Sequence, residues 1–271
     1  MLRASDLEFS YGVTAVLRGV SFDVAAGGFA GILGPNGSGK TTLLRLIAGT
    51  LRPARGRVTL DEVDVTAIPR QMLARRMAVV PQETRLAFEY TALEVVLMGR
   101  YPHLSAFEIE GPRDLAIARD ALAATGTLAL EFRAFETLSG GEKQRVVIAA
   151  ALAQIATPAG AGPRPILLLD EPTAALDLGY QLEIASLLRD LQRQVPLTVV
   201  ISTHDLNFAA ALCRTLVLVR DGRVLAAGAT ADVLTRPNIR TVYGVDADVQ
   251  RHDAAGHLVV VPIGRAARGD R

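Results

Sequence analysis

Cysteine and histidine are scarce in this chain. Its 271 residues include one cysteine, Cys213, and four histidines. A single cysteine excludes an internal disulfide framework and fits a reducing cytosol. Cys213 lies in the apolar stretch AAALCRTLVLV, which is typical of a buried packing residue. We therefore expect no Cys/His metal cluster, and we expect His103, His252 and His257 to be ordinary surface residues.

Long apolar runs and an excess of charge are also missing. Hydrophobic residues make up 50% of the chain, yet no run approaches the ~18–20 residues that a membrane-spanning helix needs. The richest stretch, VVIAAALAQIA from Val146, is short and contains Gln154. The first twenty residues carry Asp6 and Glu8 and lack an apolar signal-peptide core, so we expect no secretory signal. A formal net charge of +1 without a long basic run argues against broad nucleic-acid binding.

The patterning of the residues that are present predicts an α/β protein. Alternation over 2–33 indicates half-buried strands, and the continuous apolar runs 166–170 and 197–203 indicate parallel strands buried on both faces. Further predicted elements are a strand and turn at 57–65, a short buried strand at 77–83, helices between about 91 and 152, a Pro/Gly/Ala connector at 157–165, a hairpin at 216–228 and a strand pair in the tail from Pro237. The result is a mixed α/β core with a helical insertion between about 85 and 155.

One segment predicts a phosphate-binding loop. Residues 34–41 read GPNGSGKT, which fills the pattern G-x-x-x-x-G-K-[ST] between a predicted strand and a predicted helix. Gly34, Gly37 and Gly39 allow a tight backbone that points several N–H groups at one anion. Lys40 brings a compact charge to the β- and γ-phosphates, and the Thr41 hydroxyl is placed to help hold Mg²⁺. The loop therefore predicts nucleotide binding.

A second motif, LSGGEKQR at 138–145, adds another anion-binding helix terminus. Ser139, Gly140 and Gly141 precede or open the predicted helix EKQRVVIAAALA. Two phosphate sites in one subunit make sense if two copies sandwich the nucleotide, each lending its second motif to the other's ATP. An ordinary helix start with a serine N-cap accounts for Ser139 but not for the whole string.

With both motifs in place, the sequence resembles the ATP-binding subunits of ABC transporters, in order over nearly the whole chain. The resemblance implies an α/β fold: an ABC-type P-loop NTPase core with a mixed sheet, an antiparallel β subdomain and a helical subdomain inserted before the Walker B strand. It implies one nucleotide-binding domain over 1–245, with a RecA-like core at about 1–84 and 156–235, a helical subdomain at about 85–155, and a short tail at 246–271.

The resemblance also assigns the site residues. The matches are the Walker A loop at Gly34–Thr42, the Q-loop glutamine Gln82, the signature at Leu138–Glu142, the Walker B strand Ile166–Asp170 followed by Glu171, the D-loop at 174–177 with alanine where serine is frequent, and the switch histidine His204. The residues expected to bind ATP are Tyr11, Gly34, Pro35, Asn36, Gly37, Ser38, Gly39, Lys40, Thr41, Thr42, Ser139, Gly140 and Gly141. Those expected to hold Mg²⁺ are Thr41, Gln82 and Asp170, and the catalytic residues are Lys40, Glu171 and His204.

The chemistry of these positions agrees with the assignments. Asp170 ends an apolar strand, where a nearby Mg²⁺ would stabilise its charged form. Glu171 follows and would polarise the attacking water as a general base. His204 follows the next strand and contacts the γ-phosphate in the family. Tyr11 would stack on adenine, although an aromatic residue at a strand end is often simply packing.

Finer features indicate which branch of the family the chain resembles. The stretches MGRYPH at 98–103, DEPTAALDLGYQ and STHDLNFAA resemble ATPases of iron-chelate (siderophore), haem and vitamin B12 importers, and the 157–165 connector is similar to the haem branch. The implied partners are a second copy in a homodimer, an integral-membrane permease dimer, and indirectly a periplasmic or extracellular substrate-binding protein, with no nucleic acid. The implied location is peripheral, on the cytoplasmic face of the inner membrane. The alternative is a soluble ABC ATPase with a regulatory or assembly role.

The segment Glu83–Arg100 is expected to form the groove for a cytoplasmic helix of the permease. Its apolar and aromatic residues fit a partner surface, although core packing is an equal explanation. These residues are Leu86, Phe88, Tyr90 and Leu93.

Overall fold

The computed structural model describes residues 1–156, 164–174 and 176–266. Most of the 157–165 connector and Ala175 of the D-loop lie outside the described residues. The chain divides into two compact units. Unit 1 comprises Met1–Ala67 and Val200–Arg271, and unit 2 comprises Ile68–Val199. The predicted limits of the RecA-like core, the helical subdomain and the tail stay predictions.

The secondary structure alternates between strands and helices along the chain. In chain order the described strands are β1 Leu2–Tyr11, β2 Thr14–Val24, β3 Phe29–Leu33, β4 Arg55–Leu60, β5 Val63–Asp64, β6 Met77–Val80, β7 Ile166–Asp170, β8 Thr198–Thr203, β9 Thr215–Arg220, β10 Arg223–Ala229, β11 Val245–His252 and β12 His257–Arg265. The described α-helices are α1 Lys40–Ile47, α2 Arg70–Ala74, α3 Ala92–Met98, α4 Pro112–Ala124, α5 Gly140–Ile155, α6 Leu178–Gln194, α7 Leu206–Leu212, α8 Thr230–Val233 and α9 Arg236–Tyr243. None of these helices has the length and apolarity that crossing a lipid bilayer requires.

Unit 1 contains an antiparallel sheet and a mixed one. The antiparallel sheet has the order β2-β1-β4-β5, with Leu2 opposite both Val24 and Leu60. In the mixed sheet β3 is parallel to β9 and β9 is antiparallel to β10. The part of β8 that belongs to unit 1 lies beside β3. Every residue of β3 and β8 is buried, which explains why both read as uninterrupted apolar runs.

Unit 2 contains the helical insertion and one pair of parallel strands. Helices α3, α4 and α5 pack around a core that includes Val96, Leu122, Phe135 and Val146. The helical prediction over 91–152 is confirmed in type, but short 3₁₀ turns separate the three helices. Strand β6 runs parallel to β7, with Met77 opposite Ile166 and Val80 opposite Leu169.

The strand pair expected in the tail is confirmed as β11–β12, but the expectation was wrong for the first residues from Pro237, which lie in helix α9. The helix starts because the Thr235 hydroxyl accepts a bond from the Asn238 N–H, and it continues because Ile239 and Val242 are buried. His103 was expected to be an ordinary surface residue, but it is half-buried and its Nε2 bonds the carbonyl of Gln154 at 2.7 Å.

Burial shifts the pKa of both His103 and Cys213. Burial is the main cause that lowers the pKa of His103, and the nearby Arg100 and Arg75 charges add to it. Burial raises the pKa of the Cys213 thiol to about 12. Cys213 is therefore an inert packing residue, as predicted.

Candidate functional site

The phosphate loop follows β3 directly, and Lys40 opens α1 behind it. Only 5% of Lys40 is exposed, and its ammonium donates to the Gly34 carbonyl at 2.9 Å and the Pro35 carbonyl at 3.2 Å. The side chain therefore folds back into the loop. Its positive charge is held by the backbone that precedes it.

The start of α1 has no side-chain cap. Gly39 occupies the N-cap position with φ +103°, and glycine has no side chain with which to cap the first helical N–H groups. A Cβ at Gly39 would lie 2.8 Å from Leu17 Cδ2, so both the backbone angle and the space require glycine. The first turn also contains no acidic residue. A helix N-terminus without a capping side chain or an acidic first turn suits an external anion.

Ser38 adds a buried polar atom to the same loop. The residue is 3% exposed, and its Oγ has no hydrogen-bond partner among the described residues. A buried hydroxyl without a partner costs free energy, which a phosphate oxygen would recover. Asn36 and Gly37 are exposed at the mouth of the loop, Thr41 is half-buried and Thr42 is buried.

Unit 1 also contains His204 and Tyr11. His204 is exposed and follows β8 immediately. The next residue, Asp205, caps α7 by accepting from the Asn207 and Phe208 N–H groups at 2.9 Å each, which fixes the turn that carries His204. Tyr11 is 47% exposed and contacts Phe9 edge to face at 4.9 Å, so its ring is partly available for stacking.

In unit 2 the structure brings Gln82, Asp170 and Glu171 to one edge of the β6–β7 pair. Because Val80 lies opposite Leu169, Asp170 comes directly after the last paired position and Gln82 comes two residues after it, behind Pro81. Gln82 is exposed, whereas Asp170 and Glu171 are 7% and 8% exposed. Two adjacent buried carboxyl groups at the carboxyl ends of parallel strands are typical of a functional edge.

Glu171 has an unusual backbone. Its φ is +48°, in the left-handed region that non-glycine residues rarely adopt. A turn closes on this residue through a 3.0 Å bond from the Ala174 N–H to the Glu171 carbonyl. Such strain clusters at functional sites. Sequence reasoning missed it, because no residue type in this segment signals a positive φ.

The signature turn in unit 2 is closed on itself. The Ser139 Oγ accepts from the Glu142 N–H at 3.3 Å, and the Ser139 N–H donates to the Glu142 carboxylate at 2.8 Å. These bonds form a capping box at the start of α5. The bonds from the Ser139 backbone and hydroxyl hold the pKa of Glu142 below its usual value. Gly140 is exposed and Gly141 is buried.

The donor atoms suit the expected ligands. Thr41, Gln82 and Asp170 offer oxygen donors, which are the ligands that Mg²⁺ prefers. The described residues contain no cluster of three or more His, Cys, Asp or Glu side chains that would hold a metal by themselves. A magnesium ion that arrives with substrate phosphates needs only one or two protein ligands. The residues therefore fit Mg²⁺ bound together with a nucleotide.

Comparison with known proteins decides the family. A family model described as ABC transporter matches residues 17–174. The chain belongs to the ABC transporter family. Over 261 residues this ABC protein is 41% identical to the hemin import ATP-binding protein HmuV of Bordetella pertussis, covering 96% of this chain and 98% of that protein. Over 262 residues it is 40% identical to the cobalamin import ATP-binding protein BtuD of Halobacterium salinarum, covering 97% of this chain and 63% of that protein.

A solved structure agrees with these relatives. The chain is similar to a protein described as a metal-chelate type ABC transporter in an inward-facing conformation, with a TM-score of 0.82 and 31% identity over 97% of this chain and 96% of that one. The predicted α/β fold class is confirmed. The prediction of an ATP-hydrolysing subunit of the import type is also confirmed, and it is favoured over a soluble ABC ATPase without transport.

Proposed function

We propose that this ABC ATPase powers the import of an iron chelate, haem or cobalamin through a separate membrane permease. The observation that carries the proposal is the loop that holds Lys40 in front of an uncapped helix, in a chain whose relatives are import ATP-binding proteins. The relatives' names supply the three cargo classes. The cargo itself would not touch this subunit, so uptake has to be measured with the permease present.

Each predicted site residue has a role in this proposal. Lys40 and the open N-terminus of α1 bind the β- and γ-phosphates, and Tyr11 stacks on the adenine. Glu171 orients and deprotonates the attacking water, while His204 contacts the γ-phosphate. Thr41, Gln82 and Asp170 would hold Mg²⁺, which when bound would neutralise charge on the phosphate oxygens. The chain contributes positioning and electrostatics, and no covalent intermediate is needed.

The proposal includes a homodimer. Ser139 and Gly140 sit at a helix terminus that is already capped internally, so they are suited to closing over a nucleotide presented by a second copy. ATP would join the two copies and hydrolysis would loosen them. With the permease attached, the pair would sit as a peripheral assembly on the cytoplasmic face of the membrane.

Glu171→Gln tests the catalytic part. The amide keeps the size of the side chain but cannot accept a proton, so turnover should fall about 100- to 10,000-fold while ATP binding is preserved. ATP should then trap a dimer, measurable by analytical ultracentrifugation. Asp120→Asn, which changes an exposed carboxylate on α4, is the control and should turn over normally. Full turnover in Glu171→Gln would remove Glu171 from the catalytic role.

Within the proposed permease surface, Phe88 is the residue we propose to contact the permease. This side chain is 72% exposed, whereas Leu93 is 8% exposed and Leu86 and Tyr90 pack against the helical core. Phe88→Asp should therefore uncouple uptake from hydrolysis in reconstituted vesicles and leave basal hydrolysis unchanged. Leu86→Asp should instead lower the stability of unit 2. Equal loss of basal hydrolysis in Phe88→Asp would assign Phe88 to the fold.

Cargo is tested by reconstitution with the cognate permease in vesicles. Uptake of a ferric siderophore, haem and cobalamin is compared with and without ATP, and Glu171→Gln serves as the inactive control. ATP-dependent uptake of one of the three confirms the proposal and names the cargo. Absence of uptake for all three, with ATPase activity intact, would contradict the proposed cargo classes.

A further inference from the structure

The start of α5 is in close contact with a tyrosine from α6. A Cβ added to Gly141 would lie 2.2 Å from Tyr180 Cδ1 and 2.7 Å from both Cγ and Cε1. No real Cβ lies that close to a neighbouring atom, so the Tyr180 ring fills the space that any other residue at 141 would need. Tyr180 itself is half-buried. The ring and the signature glycine therefore fix each other's position.

The first turns of α6 are anchored independently of this contact. Asp177 caps the helix by accepting from the Tyr180 N–H at 3.0 Å, and the Gln181 side chain donates to the Leu176 carbonyl at 3.0 Å. One turn further along each helix, Arg145 of α5 forms an ion pair with Glu183 of α6. The Tyr180 ring is thus carried by a fixed helix start, and a movement of that start would be passed to Gly141.

We propose that Tyr180 is a positioning residue for the signature turn. Its ring sets the position of Gly141 and with it the exposed edge formed by Ser139 and Gly140, which would close on the nucleotide of a second copy. This inference rests on the proposed function. Displacing a binding group by about 1 Å is enough to weaken its interaction with the ligand strongly. The side chain at position 180 therefore sets the ATP concentration at which two copies join.

The inference is tested in the Glu171→Gln background, where hydrolysis does not interfere. ATP-dependent dimer formation is followed by analytical ultracentrifugation in the parent and in Tyr180→Ala, Tyr180→Phe and Leu182→Ala. Leu182 is the matched control, because it lies on the same helix and is 64% exposed. We expect the ATP concentration for half-maximal dimer to rise about tenfold in Tyr180→Ala. Tyr180→Phe keeps the ring and should behave as the parent, as should Leu182→Ala.

A second readout separates positioning from general damage. Binding of a fluorescent ATP analogue to the dilute monomer should be unchanged in every variant, because Tyr180 does not touch the monomer's own phosphate loop in this proposal. Melting temperature reports whether each variant is folded. Normal dimer formation by a folded Tyr180→Ala, or an equal loss in Tyr180→Phe, would overturn the inference. A parent that binds ATP and stays monomeric would instead overturn the proposed dimer, and this inference with it.

A double-variant test covers the case in which Tyr180→Ala does not fold. Gly141→Ala should impair dimer formation, because its Cβ meets the ring. Tyr180→Leu removes part of the ring and should relieve the impairment when the two changes are combined. The two effects should therefore be non-additive by about threefold or more in the ATP concentration needed. Additive effects would overturn the proposed contact.

Discussion

Two helices of this molecule begin at glycine-rich turns that are expected to meet phosphate, and their ends are built in opposite ways. Helix α1 starts at Gly39 with no capping side chain and no acidic residue in its first turn. Helix α5 starts at Ser139 with a complete capping box and Glu142 in its first turn. Helix α1 therefore has no capping side chain at its N-cap, whereas at α5 the Ser139 hydroxyl and the Glu142 carboxylate bond backbone N–H groups of the same turn.

The difference indicates what each terminus has to do. A terminus without a capping side chain, with a lysine beside it, suits the negative charge of a polyphosphate. A capped terminus has less to offer an anion but is rigid by itself. It is suited to holding the polar groups of Ser139 and Gly140 in a fixed position. We therefore expect the phosphate loop to bind the ATP phosphates. We expect the signature turn to complete the nucleotide site of a second copy.

The largest expected contrast is between the lysines of the two helices. Lys40→Ala removes the ammonium that the Gly34 and Pro35 carbonyls hold in the loop, so ATP affinity should fall about 100-fold and hydrolysis with it. Lys143→Ala on α5 removes a cation that bonds the Glu136 carboxylate at 2.9 Å and should change affinity little. Titration calorimetry measures both. Equal losses of ATP affinity in the two variants would mean that both helix termini contribute equally to ATP binding.

Glycine replacement should affect the stability of the two termini very differently. Gly39→Ala places a Cβ at φ +103° and 2.8 Å from Leu17, which should cost about 2–3 kcal/mol in the free energy of unfolding. Gly140→Ala meets nothing closer than Leu176 at 3.4 Å in a helical position, and it should be neutral or stabilising by up to about 1 kcal/mol. Urea unfolding of the nucleotide-free protein compares them. A stable Gly39→Ala would contradict the geometry of the loop.

Replacing the serine of each turn should give a smaller difference in the free energy of unfolding. Ser139→Ala removes the cap of α5 and should lower the free energy of unfolding by about 1 kcal/mol. Ser38→Ala removes a buried hydroxyl without a partner, and it should leave stability without nucleotide unchanged or slightly raised. The same urea titrations measure both changes. If Ser38→Ala were the more destabilising of the two, its hydroxyl would have a structural bond that the fold requires.

The smallest effect is a pH dependence at α5, which α1 does not share because its first turn has no acidic residue. The pKa of Glu142 is lowered by the Ser139 bonds, so its contribution to stability is complete above the ordinary glutamate value of 4.5 and is lost as pH falls through the lowered value. The stability difference between the parent and Glu142→Gln should therefore shrink on acidification in this range. Thermal unfolding at several pH values measures it. A difference that is independent of pH would show that the capping box does not need the charged carboxylate.

Much of the fold and of the site could be predicted from sequence, because local rules govern the residues concerned. The run ILLLD became β7 at the predicted residues, and the Asp221-Gly222 pair became the turn between β9 and β10. Both depend on neighbouring residues only. Helix α9 was missed because it is short and only two of its residues, Ile239 and Val242, are buried. His103 was misplaced because its partner, the Gln154 carbonyl, is far along the chain.

The sequence by itself determined the chemistry of this ABC ATPase: a glycine loop with a lysine, a strand ending in two carboxylates, and a second glycine turn with a serine. These are properties of residue type and spacing, which folding does not alter. Only the tertiary structure decided the state of each group. It showed that Glu171 has a strained backbone and that Tyr180 lies on Gly141. Those facts depend on contacts between elements that are distant in sequence, or on backbone angles imposed by packing, and composition and spacing do not encode them.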